Sequence, residues 1–128
     1  MSERIENTIR LSIPASTRFL RLARLTAAGL AGDLGYRMDA IEDLRVAADE
    51  LCAAVITGAR PGDELVLTYR EIAGGLSIEG SCATEGDEPP ELHGVARELV
   101  EILADEYALG RENGARTFRL VKYLKDGD

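Results

Sequence analysis

Apolar and polar residues alternate near the start of the chain. Ile9, Leu11 and Ile13 are separated by Arg10 and Ser12 and stopped by Pro14. Alternation with a period of two, ended by a proline, predicts a first strand with one buried face. The spacing then changes to three and four. Phe19, Leu22, Ala23, Thr26 and Leu30 form one stripe, capped by Ser16 or Thr17 and fading over 29–35, which predicts a first helix. A second helix is predicted from Asp39, where Asp39 and Glu42 have capping-box spacing and Ile41, Leu44, Ala48, Leu51 and Val55 form the buried stripe. The turn Ala59-Arg60-Pro61-Gly62-Asp63 delivers a strand over 64–70. Gly74-Gly75 reverses it into a second strand over 76–79, an antiparallel hairpin.

Residues 80–91 lose all apolar period and hold Gly86, Pro89 and Pro90, so they read as a long, mobile, lid-like loop. A third helix is predicted over 92–107, burying Leu92, Val95, Leu99, Ile102 and Leu103. Gly110 with Asn113-Gly114 turns the chain into a last strand over 115–124, and 125–128 read as a disordered tail. The order is strand, helix, helix, strand, strand, helix, strand. It predicts an α+β fold in a single domain, 1–128: a two-layer α/β sandwich whose mixed, mostly antiparallel sheet is covered on one face by about three helices.

Composition narrows the function classes. With 128 residues, 45% hydrophobic and 30% charged, the chain is long enough to bury a core without staples. No apolar run approaches the roughly 20 residues of a membrane span, and the first residues lack the pattern of a secretory signal, so a cytoplasmic location is expected. A net charge of −8 argues against direct nucleic-acid contact, which demands a basic face. Cys52 and Cys82 lack metal-ligand spacing and read as two reduced thiols, with no metal site. No Ser or Cys has an activating context for nucleophilic catalysis. His93, beside Gly94 at the exit of the loop, reads as an exposed helix-start residue within reach of a ligand. Arg18, Arg21 and Arg24 recur every three residues as a basic ridge suited to an acidic partner.

The element order, with Glu50 inside the second helix and a flexible loop after the hairpin, resembles the GHKL ATP-binding fold, in its short anti-sigma factor and serine kinase branch typified by RsbW and SpoIIAB. The resemblance runs from Ile9-Arg10-Leu11-Ser12-Ile13-Pro14 to Phe118-Arg119-Leu120-Val121-Lys122. In that family the second helix carries E-x-x-x-N, whose Glu polarises an attacking hydroxyl or water and whose Asn holds Mg²⁺ against the nucleotide phosphates. The spacing puts both on one helix face. Here Glu50 occupies the first position and Ala54 the second. A methyl group supplies no lone pair, whereas Mg²⁺ demands oxygen ligands.

The family's D-x-G-x-G, whose Asp receives the adenine amino group, falls on Cys82-Ala83-Thr84-Glu85-Gly86, with only Gly86 kept. Its G-x-G-L falls on Gly94-Val95-Ala96-Arg97, with Gly94 kept. The resemblance thus implies a vestigial ATP or ADP pocket at Glu50, Gly86 and Gly94, with Glu50 catalytic only if activity persists. Glu79, Glu85 and Asp87 are the carboxylates available to fill the gaps, while Asp49 lies about 100° around the helix from Glu50. Losing two charged hydrogen bonds of about 1.5–3 kcal/mol each removes about two to four decades of affinity. The function expected is an anti-sigma-like regulatory protein, forming a homodimer through the sheet's edge or exposed face. It would bind a sigma factor, a STAS-type antagonist, or both, with nucleotide binding weakened or lost. An active ATP/Mg²⁺-dependent serine kinase and a scaffold that keeps only the fold are the alternatives.

Overall fold

The computed structural model describes residues 7–124, so the predicted tail lies outside the described residues. The chain runs β1 (Thr8–Pro14), a 3-10 turn (Thr17–Phe19), α1 (Leu20–Leu34), α2 (Met38–Ile56), β2 (Glu64–Ile72), β3 (Gly75–Ala83), α3 (Gly94–Leu103), β4 (Glu106–Glu112) and β5 (Ala115–Tyr123). The strands form one sheet in the order β1-β2-β3-β5-β4, and every neighbouring pair is antiparallel. One face carries the helices, as expected for an α+β sandwich. The sheet is antiparallel throughout rather than mixed.

Alternation sets the buried face. Leu65, Leu67 and Tyr69 on β2, Leu76, Ile78 and Cys82 on β3, and Phe118 and Leu120 on β5 point toward the helices and are buried. Against them lie Leu44, Ala47, Ala48, Leu51, Cys52 and Val55 of α2. Two phenols reach across the layers to backbone carbonyls. Tyr69 Oη donates to the Ala23 carbonyl at 3.0 Å, and Tyr36 Oη donates to the Lys122 carbonyl.

The structure corrects the sequence reading in four places. The predicted third helix over 92–107 stops at Leu103, and Glu106–Glu112 is a fifth strand. Asn113 (φ 52) and Gly114 (φ 78) make the tight hairpin turn into β5, both in the left-handed region that such a turn requires, and Gly110 sits inside β4. Second, the expected loop over 80–91 begins later, because β3 pairs with β5 through Ala83. Third, the inward face of α1 is Leu20, Ala23, Ala27 and Ala31, while Leu22 is 41% exposed. Three of these four are alanines, so that face is poor in bulk. Likewise Val95 and Ile102 stay exposed on α3, and Val100 is its buried residue. Fourth, Arg37 is the N-cap residue of α2, with no side-chain cap. Asp39 lies within the first turn, its Oδ1 accepting from the Ala40 amide, and Glu42 pairs with Arg45, so no capping box forms.

Gly80 is needed for its lack of a side chain. A Cβ there would sit 2.2 Å from Cε2 of Phe118, its cross-strand partner, so the Phe118 ring covers the glycine. Gly80→Ala is expected to destabilise the chain by about 1–3 kcal/mol through overpacking, measured by urea unfolding. An unchanged midpoint would show that Phe118 moves aside at no cost.

Candidate ligand cleft and partner surface

The pocket that the sequence places beside α2 exists as an open cleft of about 460 Å³. It is lined by Ala54 and Thr57 of α2, Glu88, Pro89, Glu91 and His93 of the following loop, and Arg116 of β5. Ala54 is 7% exposed and forms part of the wall. Glu50, one turn earlier on the same helix face, is half-buried but outside the cleft lining. Arg45 and Arg97 bond to Glu42 at 2.8 Å and Glu101 at 3.2 Å, and neither pairs with Glu50. Gly86 (φ 93) and Gly94 (φ 54) are exposed loop and helix-start positions, apart from the cleft lining. None of the three residues of the expected vestigial pocket is among the residues lining this cleft.

The carboxylates proposed as substitutes are committed elsewhere or exposed. Glu79 faces the opposite side of the sheet, 3.7 Å from Arg70, and Glu85 pairs with Arg60 at 3.1 Å. Asp87 is exposed in the loop, and Asp49 is bound to Arg24 at 2.6 Å. His93 is the N-cap residue of α3, with Nε2 3.4 Å from Glu91, as its position at the loop exit predicts. Cys82 is wholly buried. Burial, then the Asp63 carboxylate, hold its thiol above the ordinary range, offset by Arg116. Among the described residues no group of three or more His, Cys, Asp and Glu is placed to hold a metal ion.

Arg116 escaped the sequence reading. Its signal was available: in the last strand it shares a face with Phe118 and Leu120, so it is a charge set into an apolar row. Its Nε is buried and lacks a hydrogen-bond partner, as does Thr84 Oγ1 just beyond β3.

The basic ridge is divided among three tasks. Arg24 bridges α1 to Asp49 of α2. Arg18 lies in the 3-10 turn, its guanidinium 5.0 Å from the Phe19 ring centroid. Arg21 is exposed and has no partner among the described residues, and Leu22 and Leu25 are exposed alongside it. The opposite, helix-free face of the sheet holds a concavity of about 640 Å³, whose lining includes Arg10, Thr68, Glu79, Ser81, Thr117 and Arg119.

Known proteins share both the sequence and the fold. The chain is 42% identical over 52 residues to the serine-protein kinase RsbW of Halalkalibacterium halodurans, an alignment covering 41% of this chain and 32% of that protein. It is 35% identical over 78 residues to RsbW of Bacillus thuringiensis, covering 61% of this chain and 42% of the relative. The chain is RsbW-like. Its fold also matches, at TM-score 0.68 and 13% identity, a crystal structure of the RsbU and RsbW domains of Rv1364c from Mycobacterium tuberculosis, over 92% of this chain and 32% of that one. Nearly the whole chain therefore has a counterpart of the same fold in that structure. The aligned segments span a third to two-fifths of the curated relatives' length. No family model matches the chain. Among the described residues no helix is long and apolar enough to cross a membrane.

The buried thiol on α2 makes a pH prediction. Burial, then the Asp49 carboxylate, push Cys52 from 9.0 up to about 12, partly offset by Arg24. Above pH 9 the unfolded thiol ionises while the folded one keeps its proton, so the folded state binds more protons and stability falls as pH rises toward 12. Tyr36, also raised to about 12, adds to the fall above pH 10. Urea unfolding at pH 8, 9, 10 and 11 is expected to show this decline, with a shallower slope in Cys52→Ala. Equal slopes would mean that Cys52 ionises alike in both states.

Proposed function

We propose that the chain is an anti-sigma-like regulatory binding protein that contacts a sigma factor, a STAS-type antagonist, or both, with nucleotide binding weakened or lost. The observation that carries this reading is the chemistry of the cleft wall. The helix position from which the resemblance expects a Mg²⁺ ligand is the methyl group of Ala54, and the loop across from it offers the carboxylates Glu88 and Glu91. Phosphates and Mg²⁺ need donors and oxygen ligands together. The wall lacks the helix oxygen that the resemblance expects at 54, and its carboxylates stand on the loop side of the cleft instead of on α2, which supports weakened nucleotide binding; no catalytic step is derived through it.

The partner surface proposed is the start of α1, where Arg21 stands exposed beside Leu22 and Leu25. Apolar area with a central arginine is the composition of energetic centres in protein interfaces. Arg18 and Arg24 support that patch from its two ends, Arg24 by fixing α1 to α2. Homodimerisation through the helix-free sheet face is proposed with it. There Arg10, Glu79 and Arg119 lie in one cross-strand row of alternating charge. The alternative reading is an active serine kinase with Glu50 as base. In its favour, the sequence relatives are named serine-protein kinases, and Glu50 has no hydrogen-bond or ion-pair partner among the described residues.

Calorimetric titration with ADP and with ATP, each with Mg²⁺, separates the readings. No heat of binding at micromolar nucleotide is expected. Micromolar affinity abolished by Glu50→Ala would replace the binding-protein reading with the kinase. For the partner surface, affinity for sigma and STAS proteins expressed from the same genome is expected to fall about tenfold or more in Arg21→Glu, with unfolding unchanged. Equal affinities for wild type and variant would remove α1 from the interface.

A further inference from the structure

We propose that the outer face of α3 is a docking surface for a basic amphipathic helix of a partner protein. The inference is independent of the α1 surface proposed above, because α2 packs against both helices and the two surfaces lie on different ones. At about 100° per residue, the apolar side chains of α3 follow around its axis in the order Val100, Ala96, Leu103, Leu99, Val95 and Ile102, an arc of about 160°. The core covers only part of that arc. Val100 is wholly buried and Ala96, Leu99 and Leu103 are half-buried, whereas Val95 is 69% exposed and Ile102 is 76% exposed. These two stand two turns apart, about 10 Å along the axis, which is the repeat at which one helix meets another lying beside it.

Charge selects the occupant. Glu98 lies next to Ile102 around the helix, is exposed, and has no ion-pair partner among the described residues. Glu101 follows it and accepts from Nε of Arg97 at 3.2 Å, so the one arginine of the helix is already engaged. From 85 to 104 the chain carries six carboxylates against that arginine and His93. A second copy docked through α3 would set Glu98 against the same acidic surface, and like charges brought together oppose association. An acidic peptide and nucleic acid meet the same opposition. A partner helix with apolar residues at i, i+3 or i+4, and i+7 would cover Val95 and Ile102, and Lys or Arg on its flank would meet Glu98. The contact is small and its charges are exposed, so the affinity expected is modest and falls as salt rises.

The test uses the full chain and a fluorescently labelled synthetic peptide of about five helical turns, with leucine at those spacings and lysine or arginine elsewhere, followed by anisotropy. One control peptide has the same composition in an order that breaks the apolar stripe. A second carries glutamate in place of every lysine and arginine. The wild type is expected to bind the first peptide about fivefold or more tighter than either control. Ile102→Ser and Glu98→Lys are each expected to weaken that binding about fivefold, while Glu64→Lys, the same change of charge at the exposed start of β2, leaves it within about twofold. Both α3 substitutions are at exposed positions, so urea midpoints are expected to stay at the wild-type value. Equal binding of the ordered and reordered peptides, or equal losses in Glu64→Lys and Glu98→Lys, would reduce the effect to net charge and overturn the docking surface. Undiminished binding in Ile102→Ser or in Glu98→Lys overturns it as well. Self-association of the wild type that Ile102→Ser abolishes, measured by light scattering, would assign the face to a second copy and overturn the basic partner.

Discussion

Leu44, Leu51 and Val55 are wholly withdrawn from water on the inward side of α2, packed into the same core as Ile78 and Leu120 of the sheet. That burial leaves the helix no freedom to rotate. Turning α2 by one residue, about 100°, would carry three large apolar side chains into water, at about 1.5–3 kcal/mol each. The direction of every other side chain on α2 is a consequence. Asp49 faces α1 and meets Arg24, Cys52 enters the core, and Ala54 faces the loop after β3. The identity of residue 54 is therefore a statement about the cleft, because the core fixes where that residue points.

The same constraint explains which parts of the molecule were legible in the sequence. Residues 38–56 carry large apolar side chains at strict helical spacing, so α2, its buried face and the position of Ala54 followed directly. The β2–β3 hairpin followed from Gly74, whose φ of 80 meets the demand of a tight turn. In α1 the buried face is mostly alanine, and the bulkier Leu22 and Leu25 lie outside. A reading weighted by hydrophobic bulk therefore rotates the stripe. β4 was missed because Leu103 and Tyr107 lie four apart and extend a helical pattern. Yet Tyr107 and Leu109 alternate ahead of Asn113-Gly114, a strong signal for a hairpin. Adding β4 turns a four-stranded sheet into a five-stranded one and pairs the outer edge of β5.

The candidate site was legible only in outline. Sequence placed a cleft between α2 and the loop, and the structure has one there. Register decided the rest, since a shift of one residue sends a side chain to the other face of a sheet. With β3 continuing through Ala83, Cys82 belongs to the core, and Glu79 belongs to the far side, where it meets Arg70. Residues that looked interchangeable along the chain are separated by the thickness of the sheet.

β5 makes the distinction between structure and function concrete, because it turns two cations toward the helices. Lys122 is 8% exposed, donates from Nζ to the Leu103 carbonyl at 2.8 Å and lies 3.8 Å from Asp43 of α2. Its charge is answered from α2 and from the end of α3, so it ties three elements together and explains itself as architecture. Arg116, on the same face and nearer the start of the strand, receives no such answer within the fold. A buried donor left without an acceptor costs about 1–3 kcal/mol, more when charged. The packing of Phe118 and Leu120 gives no return for that cost, since an apolar residue at 116 would continue their row. Arg116 instead belongs to the wall of the cleft, where its charge is offered to whatever enters between α2 and the loop.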